Sequence, residues 1–212
     1  FDKAEGWSFF WHKNDQIWVN GESMTTLAED KSKTADFEGY GVDTDSGYAV
    51  YPLVKAQDNV NGNQLTWNFP SSYTYTAIDG IFFESSQEIP MYAIVDNGKA
   101  TFRHLGAILA VKMNEWDFTG KHVFTLRSSK KISGQFSTDL SYPIPELETT
   151  TEGEDVVTIT YERPDNAASS NIVFYVPIPT GNYTLKPTIE VEGIPYYSPD
   201  GKSKTIGRGD IV

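Results

Sequence analysis

Apolar and polar residues alternate with a period of two along much of this chain. In Tyr183–Glu192, the residues Tyr183, Leu185, Ile189 and Val191 alternate with Thr184, Lys186, Thr188, Glu190 and Glu192. That spacing predicts a strand with one buried and one wet face. Val157, Ile159 and Tyr161 alternate with Thr158 and Thr160, and Leu65, Trp67 and Phe69 with Thr66 and Asn68. His122–Leu126 and Ile172–Ile178 read as further strands. Pro177 and Pro187 fall inside such runs. A proline cannot donate to a ladder, so both strands are expected to be edges or bulged there.

Turn chemistry agrees. Asn20-Gly21, Asn61-Gly62 and Asn97-Gly98 are dipeptides that accept positive φ in tight hairpins. The clearest hairpin runs from Met91–Val95 through Asp96-Asn97-Gly98-Lys99 into a strand over Ala100–Met113. Within it Leu105–Val111 is apolar at almost every position. Such a run is either a strand buried on both faces or a short buried helix, and its place in a hairpin favours the strand. No segment carries a long 3.6-residue stripe, so little helix is expected. Met24–Lys33 is the one weak helical candidate, short and polar.

Glu146–Asp155 is acidic, nearly devoid of apolar side chains, and reads as a solvated loop. The expectation is one unit over 1–212, with a division into two lobes near 148 or near 100 as the alternatives. No internal repeat or low-complexity tract is present.

Composition narrows the function classes. The 212 residues carry 29 Asp+Glu against 17 Lys+Arg, a net charge of -12. Nucleic acid is thereby disfavoured as a partner, since phosphate backbones need a basic face. Cysteine is absent, which excludes disulfides, thiol catalysis and thiolate metal sites. Aromatic residues reach 14%, as in chains of many short strands. No signal peptide is visible at Phe1, as in a mature or truncated form.

Candidate chemistry is sparse. His12, His104 and His122 have no second histidine at i+2 to i+4, so no helical zinc motif exists. His104 reads as a structural histidine near a strand start. No Gly-x-Ser-x-Gly elbow, P-loop or Gly-x-Gly-x-x-Gly occurs. Asp43-Thr44-Asp45-Ser46-Gly47 has the look of a calcium loop, but Val54 stands where its last glutamate belongs. It reads as an acidic turn ahead of the strand Tyr48–Tyr51. Arg208-Gly209-Asp210 is a tripeptide short enough to arise by chance, and Asn182-Tyr183-Thr184 fits a glycosylation sequon. Of the five tryptophans at least three are expected in the core. Trp7 and Trp11, beside Phe9 and Phe10, are the candidates for an exposed glycan platform.

One ordered set of landmarks says more. Trp11, Asp15, Ile17 and Val19 form a W-x-x-x-D-x-I-x-V opening. It is followed by Phe37-Glu38-Gly39, by Tyr48-Ala49-Val50-Tyr51-Pro52 and by Ile89-Pro90-Met91. Next comes an F-x-H-x-x-A-x-L strand made by Phe102, His104, Ala107 and Leu109, then Ile132-Ser133-Gly134 and Phe174–Tyr183. In this order the landmarks, spanning residues 11 to 183, resemble the fimbrillin-like proteins of Bacteroidales, the type V pilin superfamily.

The resemblance implies an all-β fold, a transthyretin-like β-sandwich of Greek-key connectivity with little helix. It implies a lipoprotein precursor exported to the outer membrane and assembled into surface fimbriae, with no catalytic residue, metal or cofactor. Its partners would be other fimbrial subunits or a second copy through strand addition, with a host surface protein or glycan as a further target. The assembly strands to watch are Gln16, Ile17, Trp18 and Val19, and the tail residues Thr205, Ile206, Ile211 and Val212. The lipid-bearing cysteine of such precursors would lie upstream. The first arginine is Arg103, so an arginine-directed cut ahead of the first strands has no place in this chain. The rival expectation is a carbohydrate-binding surface module using Trp7 and Trp11. A glycan-processing enzyme would instead need two carboxylates in one cleft, and no spacing selects such a pair.

Overall fold

The computed structural model describes residues 9–76, 81–82, 89–116, 119–150, 152–163, 170–191, 194–197 and 201–211. Strands dominate it. In chain order they are β1 (Gln16–Val19), β2 (Glu22–Thr26), β3 (Phe37–Glu38), β4 (Ser46–Tyr51), β5 (Val60–Asn61), β6 (Gln64–Phe69), β7 (Ser72–Thr76) and β8 (Ile81–Phe82). Then come β9 (Met91–Asp96), β10 (Lys99–Ala100), β11 (Arg103–His104), β12 (Gly106–Trp116), β13 (Gly120–Ser128) and β14 (Gly134–Asp139). The last are β15 (Glu148–Thr149), β16 (Val156–Arg163), β17 (Ser170–Pro179), β18 (Gly181–Val191), β19 (Ile194–Tyr197) and β20 (Lys202–Ile206). Helix α1 (Leu53–Asn59) lies between β4 and β5. No helix among the described residues is long and apolar enough to cross a membrane.

Four sheets form two layered cores. In the first, the sheet β3-β2-β1-β4-β9, with β10 and β11 both on the outer edge of β9, faces the sheet β15-β14-β6-β5. Trp18, Val50 and Tyr92 from one side meet Leu65, Trp67, Phe69 and Phe136 from the other, with Leu53 and Ala56 of α1 closing one end. In the second, β12-β17-β8 faces β7-β16-β13-β18, with β19 and β20 sharing the outer edge of β18. Phe174 sits at its centre, fully buried. The rings of Phe124, Tyr75 and Tyr161 lie 5.1, 5.3 and 5.6 Å from it.

Neither core is one continuous stretch of chain. β7 and β8 leave the first half to pair in parallel with β16 and β17 of the second. β14 and β15 return from the second half to pair with β6. Between β16 and β18 the chain passes through β17 in the opposed sheet and returns on the far side of β13, as in a Greek key. The fold is thus the all-β sandwich expected.

Local chemistry accounts for most joints. Asn20 (φ 50°) and Gly21 (φ 103°) close β1–β2, and Asn97 (φ 48°) and Gly98 (φ 71°) close β9–β10, as tight hairpins require. The β5–β6 turn is Gly62-Asn63, one residue later than the dipeptide suggested, because Asn61 already pairs with Gln64. Both prolines fall where, among the described residues, the ladder is open. Pro187 faces Leu126 on β13, and its other side is the gap between β20, which pairs through Leu185, and β19, which starts at Thr188. Pro177 lies opposite Ile108, beyond the Val173–Phe174 pairing with β8.

Two local expectations are corrected. Met24–Lys33 is not helical: β2 occupies its start and an irregular loop the rest. The one helix among the described residues is Leu53–Asn59, too short to carry a periodic signal and held by burial of Leu53 and Ala56. Ala100–Met113 is not one hairpin strand. The chain pairs with β9 through His104 and then crosses at Gly106 into the other core. A Cβ at Gly106 would lie 2.8 Å from the Ile178 carbonyl oxygen and 3.3 Å from the Phe69 ring. The two cores therefore approach too closely at this point for any side chain.

Phe174→Ala is expected to destabilise the protein by about 3–5 kcal/mol, because its cavity would open among rings that cannot collapse. Tyr40→Ala, at a fully exposed side chain (100%), is expected to stay within about 0.5 kcal/mol. Urea unfolding midpoints check both.

Candidate functional site

Two features of this scaffold stand apart from its packing: a covered cleft on the first sheet and an edge of β12 that is open among the described residues.

The cleft follows from strand register. Val19 pairs with Ala49, and Ala49 with Ala93, so three neighbouring strands place a row of small side chains on the outer face of the sheet. Ile17 and Val95 flank the row. Alanines leave a trough, and aromatic residues roof it. The Trp11 ring meets Phe9, Phe37 and Phe102 edge-on at 4.8, 5.0 and 5.2 Å, the arrangement ring quadrupoles favour. Trp11 is tied to Ser32 by backbone bonds in both directions, 2.8 and 2.9 Å. Between floor and roof lies a cavity of about 550 Å³. Lys33, Thr34, Asp36 and Thr101 line it as well, whereas Lys99 pairs with Asp96, whose side chain shares the other face of the sheet with Ile94. The one ion pair among the described residues is the exposed Lys13–Glu29 contact at 3.3 Å.

The second feature is made by the end of the chain. The Gly209 amide donates to the Gly106 carbonyl (2.9 Å), and the Ile108 amide to the Asp210 carbonyl (2.9 Å). Ile211 thereby pairs in parallel with Ile108, on the edge of β12 opposite β17. Beyond that rung, Leu109–Trp116 has no strand on this edge among the described residues. Ile89, Ile108 and Tyr175 form a small buried cluster on the outer face, with Ala110, Val173 and Ile211 packed against it. Leu105–Val111 is thus apolar throughout because Ala107 and Leu109 face one core while Ile108 and Ala110 face this cluster.

The sequence-derived candidates separate accordingly. Gln16–Val19 is an interior strand, bonded to β2 throughout and to β4 at Trp18 and Val19. Ile17 and Val19 form the cleft floor, whereas Trp18 points into the first core. Thr205 and Ile206 belong to β20 on the edge of β18, with Ile206 buried (2%). Ile211 reaches the edge of β12. Val212 and Trp7 lie outside the described residues. Trp11 is buried (6%) and shows no open ring face, so it is roof rather than platform. Trp18 and Trp67 are buried as well.

The Arg-Gly-Asp tripeptide is tied down at both ends, with Arg208 partly buried and Asp210 exposed. The Arg208 guanidinium donates to the Pro145 carbonyl, and the Asp210 carboxylate accepts from the Gly207 amide at 2.7 Å. His122 is buried with Nε2 2.8 Å from the Thr119 carbonyl. His104 lies between the cleft and the tail, and burial lowers its pKa to about 4, so the ring is neutral at pH 7. No group of three or more His, Asp or Glu suited to a metal occurs among the described residues. Periodicity could not reveal the cleft, because small residues on a strand look like ordinary core until their neighbours across the sheet are known.

No family model and no curated protein matches the sequence. Among solved structures, a candidate cell adhesion protein from Bacteroides ovatus is similar with a TM-score of 0.52 at 9% identity, over 95% of this chain and 89% of that one. A second candidate cell adhesion protein, from Bacteroides thetaiotaomicron, gives 0.43 at 13% identity over 100% and 82%. The first likeness is one of fold, and the second superposition is too loose to weigh.

Two outcomes follow. At Gly209 (φ +68°) an added Cβ would come 3.1 Å from the His104 ring, so Gly209→Ala is expected to lift the tail from β12. Amide exchange at Ile108 should then quicken by on the order of tenfold in a folded protein. The neutral His104 binds its proton less readily folded than unfolded. Its contribution to stability is therefore complete above about pH 6.5 and falls as pH drops towards 4. His104→Gln is expected to flatten that part of the stability–pH curve measured by urea unfolding.

Proposed function

We propose that this chain is a non-enzymatic surface adhesion protein of the fimbrial type, exported to the outer membrane and joined to further subunits, or to copies of itself, by strand addition. The open edge of β12 carries this reading. Its first rung is already filled in parallel by the chain's own tail, and the positions that follow offer ladder groups beside an apolar face. A strand continuing this line would satisfy those groups while its alternate side chains pack on the Ile108–Tyr175 face. The ordered landmarks from Trp11 to Tyr183, and the fold shared with a candidate cell adhesion protein, point the same way.

The edge can be blocked selectively. Ile108 donates away from β17, and Ala110, two residues on, has its amide on the same side. Ala110→Pro removes that donor and leaves the β12–β17 bonds in place. The full-length mature protein is expected to form polymers visible by electron microscopy and size-exclusion chromatography. Ala110→Pro is expected to remain monomeric with an unchanged circular dichroism spectrum. Wild-type protein that stays monomeric, or a variant that polymerises equally well, counts against strand addition here.

A further inference from the structure

We propose that the outer face of β13 and β18, where Arg127 stands beside Lys186, is a binding site for a carboxylated glycan. Arg127 and Lys186 are direct cross-strand partners. Their neighbours Leu126 and Leu185 are buried in the second core, so alternation turns both cations outward, and both are exposed. Like charges placed opposite each other cost stability. Neither cation is held in an ion pair among the described residues, and in a chain of net charge -12 such a pair is a local exception. Asp155 lies opposite the buried Ser128, on the core side. Glu154 is tied to Ser133 by backbone bonds of 2.8 and 3.1 Å, and even with its charge counted the patch keeps a positive excess. A Cβ at Gly201 would lie 2.9 Å from Lys186 Cγ and 2.7 Å from Thr184 Cγ2, so the lysine stem rests against bare backbone.

Hydroxyls bracket the two cations along the strands. On one flank Thr125 pairs with both Thr158 and Thr188. On the other, the Ser129 amide donates to the Thr184 carbonyl (3.0 Å), and the Ser129 hydroxyl accepts from the Thr184 amide (2.9 Å). Ser203 Oγ lies 3.4 Å from Thr184 Oγ1. A sugar carboxylate can take the Arg127 fork and the Lys186 ammonium, while the ring's own hydroxyls meet side chains that both donate and accept. Other anions find less here. An acidic peptide binds through apolar anchors or by adding a strand, but β13 is paired on both edges. Val156 is the one apolar side chain level with the cations. Single-stranded nucleic acid needs stacking rings, and an anionic membrane a larger basic cluster. This face belongs to the sheet opposed to β12, so glycan binding and strand addition are independent and can fail separately.

The test is calorimetric titration at low salt with trigalacturonate, beside its methyl ester and triglutamate, a peptide of equal net charge. Trigalacturonate is expected to bind saturably and to weaken as salt is added. The ester and triglutamate should each bind about tenfold more weakly. Lys186→Gln should weaken trigalacturonate about two- to fivefold, and Thr125→Val about twofold. Arg127→Glu should abolish binding with a urea midpoint no lower than that of the wild type, because it places opposite charges across the strands. Lys121→Gln, on the same face six residues along β13, removes an equal charge and should leave binding unchanged. The proposal is overturned if trigalacturonate shows no saturable binding, or if triglutamate binds as tightly. Undiminished binding to folded Arg127→Glu overturns it as well, as does an equal loss in Lys121→Gln.

Discussion

The fold depends on the ladder between β12 and β17. Its nine consecutive and near-consecutive pairs run from Gly106–Pro179 to Trp116–Ser170, joining residues more than fifty positions apart. Because strand side chains alternate, one ladder serves two purposes. Ala107, Leu109, Phe174, Val176 and Ile178 fill the second core, while Ile108 and Tyr175 form the outer cluster that receives the tail. A shift of register by one residue would exchange these sets, burying the docking face and exposing the core.

The crossing at Gly106 makes this ladder possible. Arg103 and His104 still pair within the first sheet, and from Gly106 the chain belongs to the β12-β17-β8 layer of the other core. The tail returns to the same point, donating from Gly209 to the Gly106 carbonyl. The His104 ring, the crossing and the start of the open edge are therefore one joint. A neutral, desolvated imidazole suits such a joint, since a charged one would sit without full hydration between two apolar layers.

Two surfaces of different chemistry result. On β12, among the described residues, the free resource is backbone hydrogen bonding beside an apolar strip, which suits a strand. On the first sheet Val19 and Ala49 are paired on both sides, and what the cleft offers is volume over small aliphatic side chains. The fold shared with a Bacteroides protein does not by itself distinguish these roles, because function resides in such sites rather than in the sandwich.

Strand identity was legible in the chain because burial imposes a period of two, and Tyr183–Val191, Val157–Tyr161 and Leu65–Phe69 obey it. Turns were legible because Asn-Gly tolerates positive φ, and the prolines at 177 and 187 marked gaps in the ladders because proline carries no amide hydrogen. Pairing was not legible. Nothing local says that β7 and β8 join the second core in parallel, or that β14 turns back to β6, because ladders link residues by space and not by spacing. The break at Leu105–Gly106 was hidden for the same reason: its glycine is demanded by Ile178 and Phe69, which are distant in sequence. Trp11 read as a surface ring until the tertiary structure brought Phe9, Phe37 and Phe102 around it, and the trough beneath exists only because three separate strands bring Val19, Ala49 and Val95 to one face.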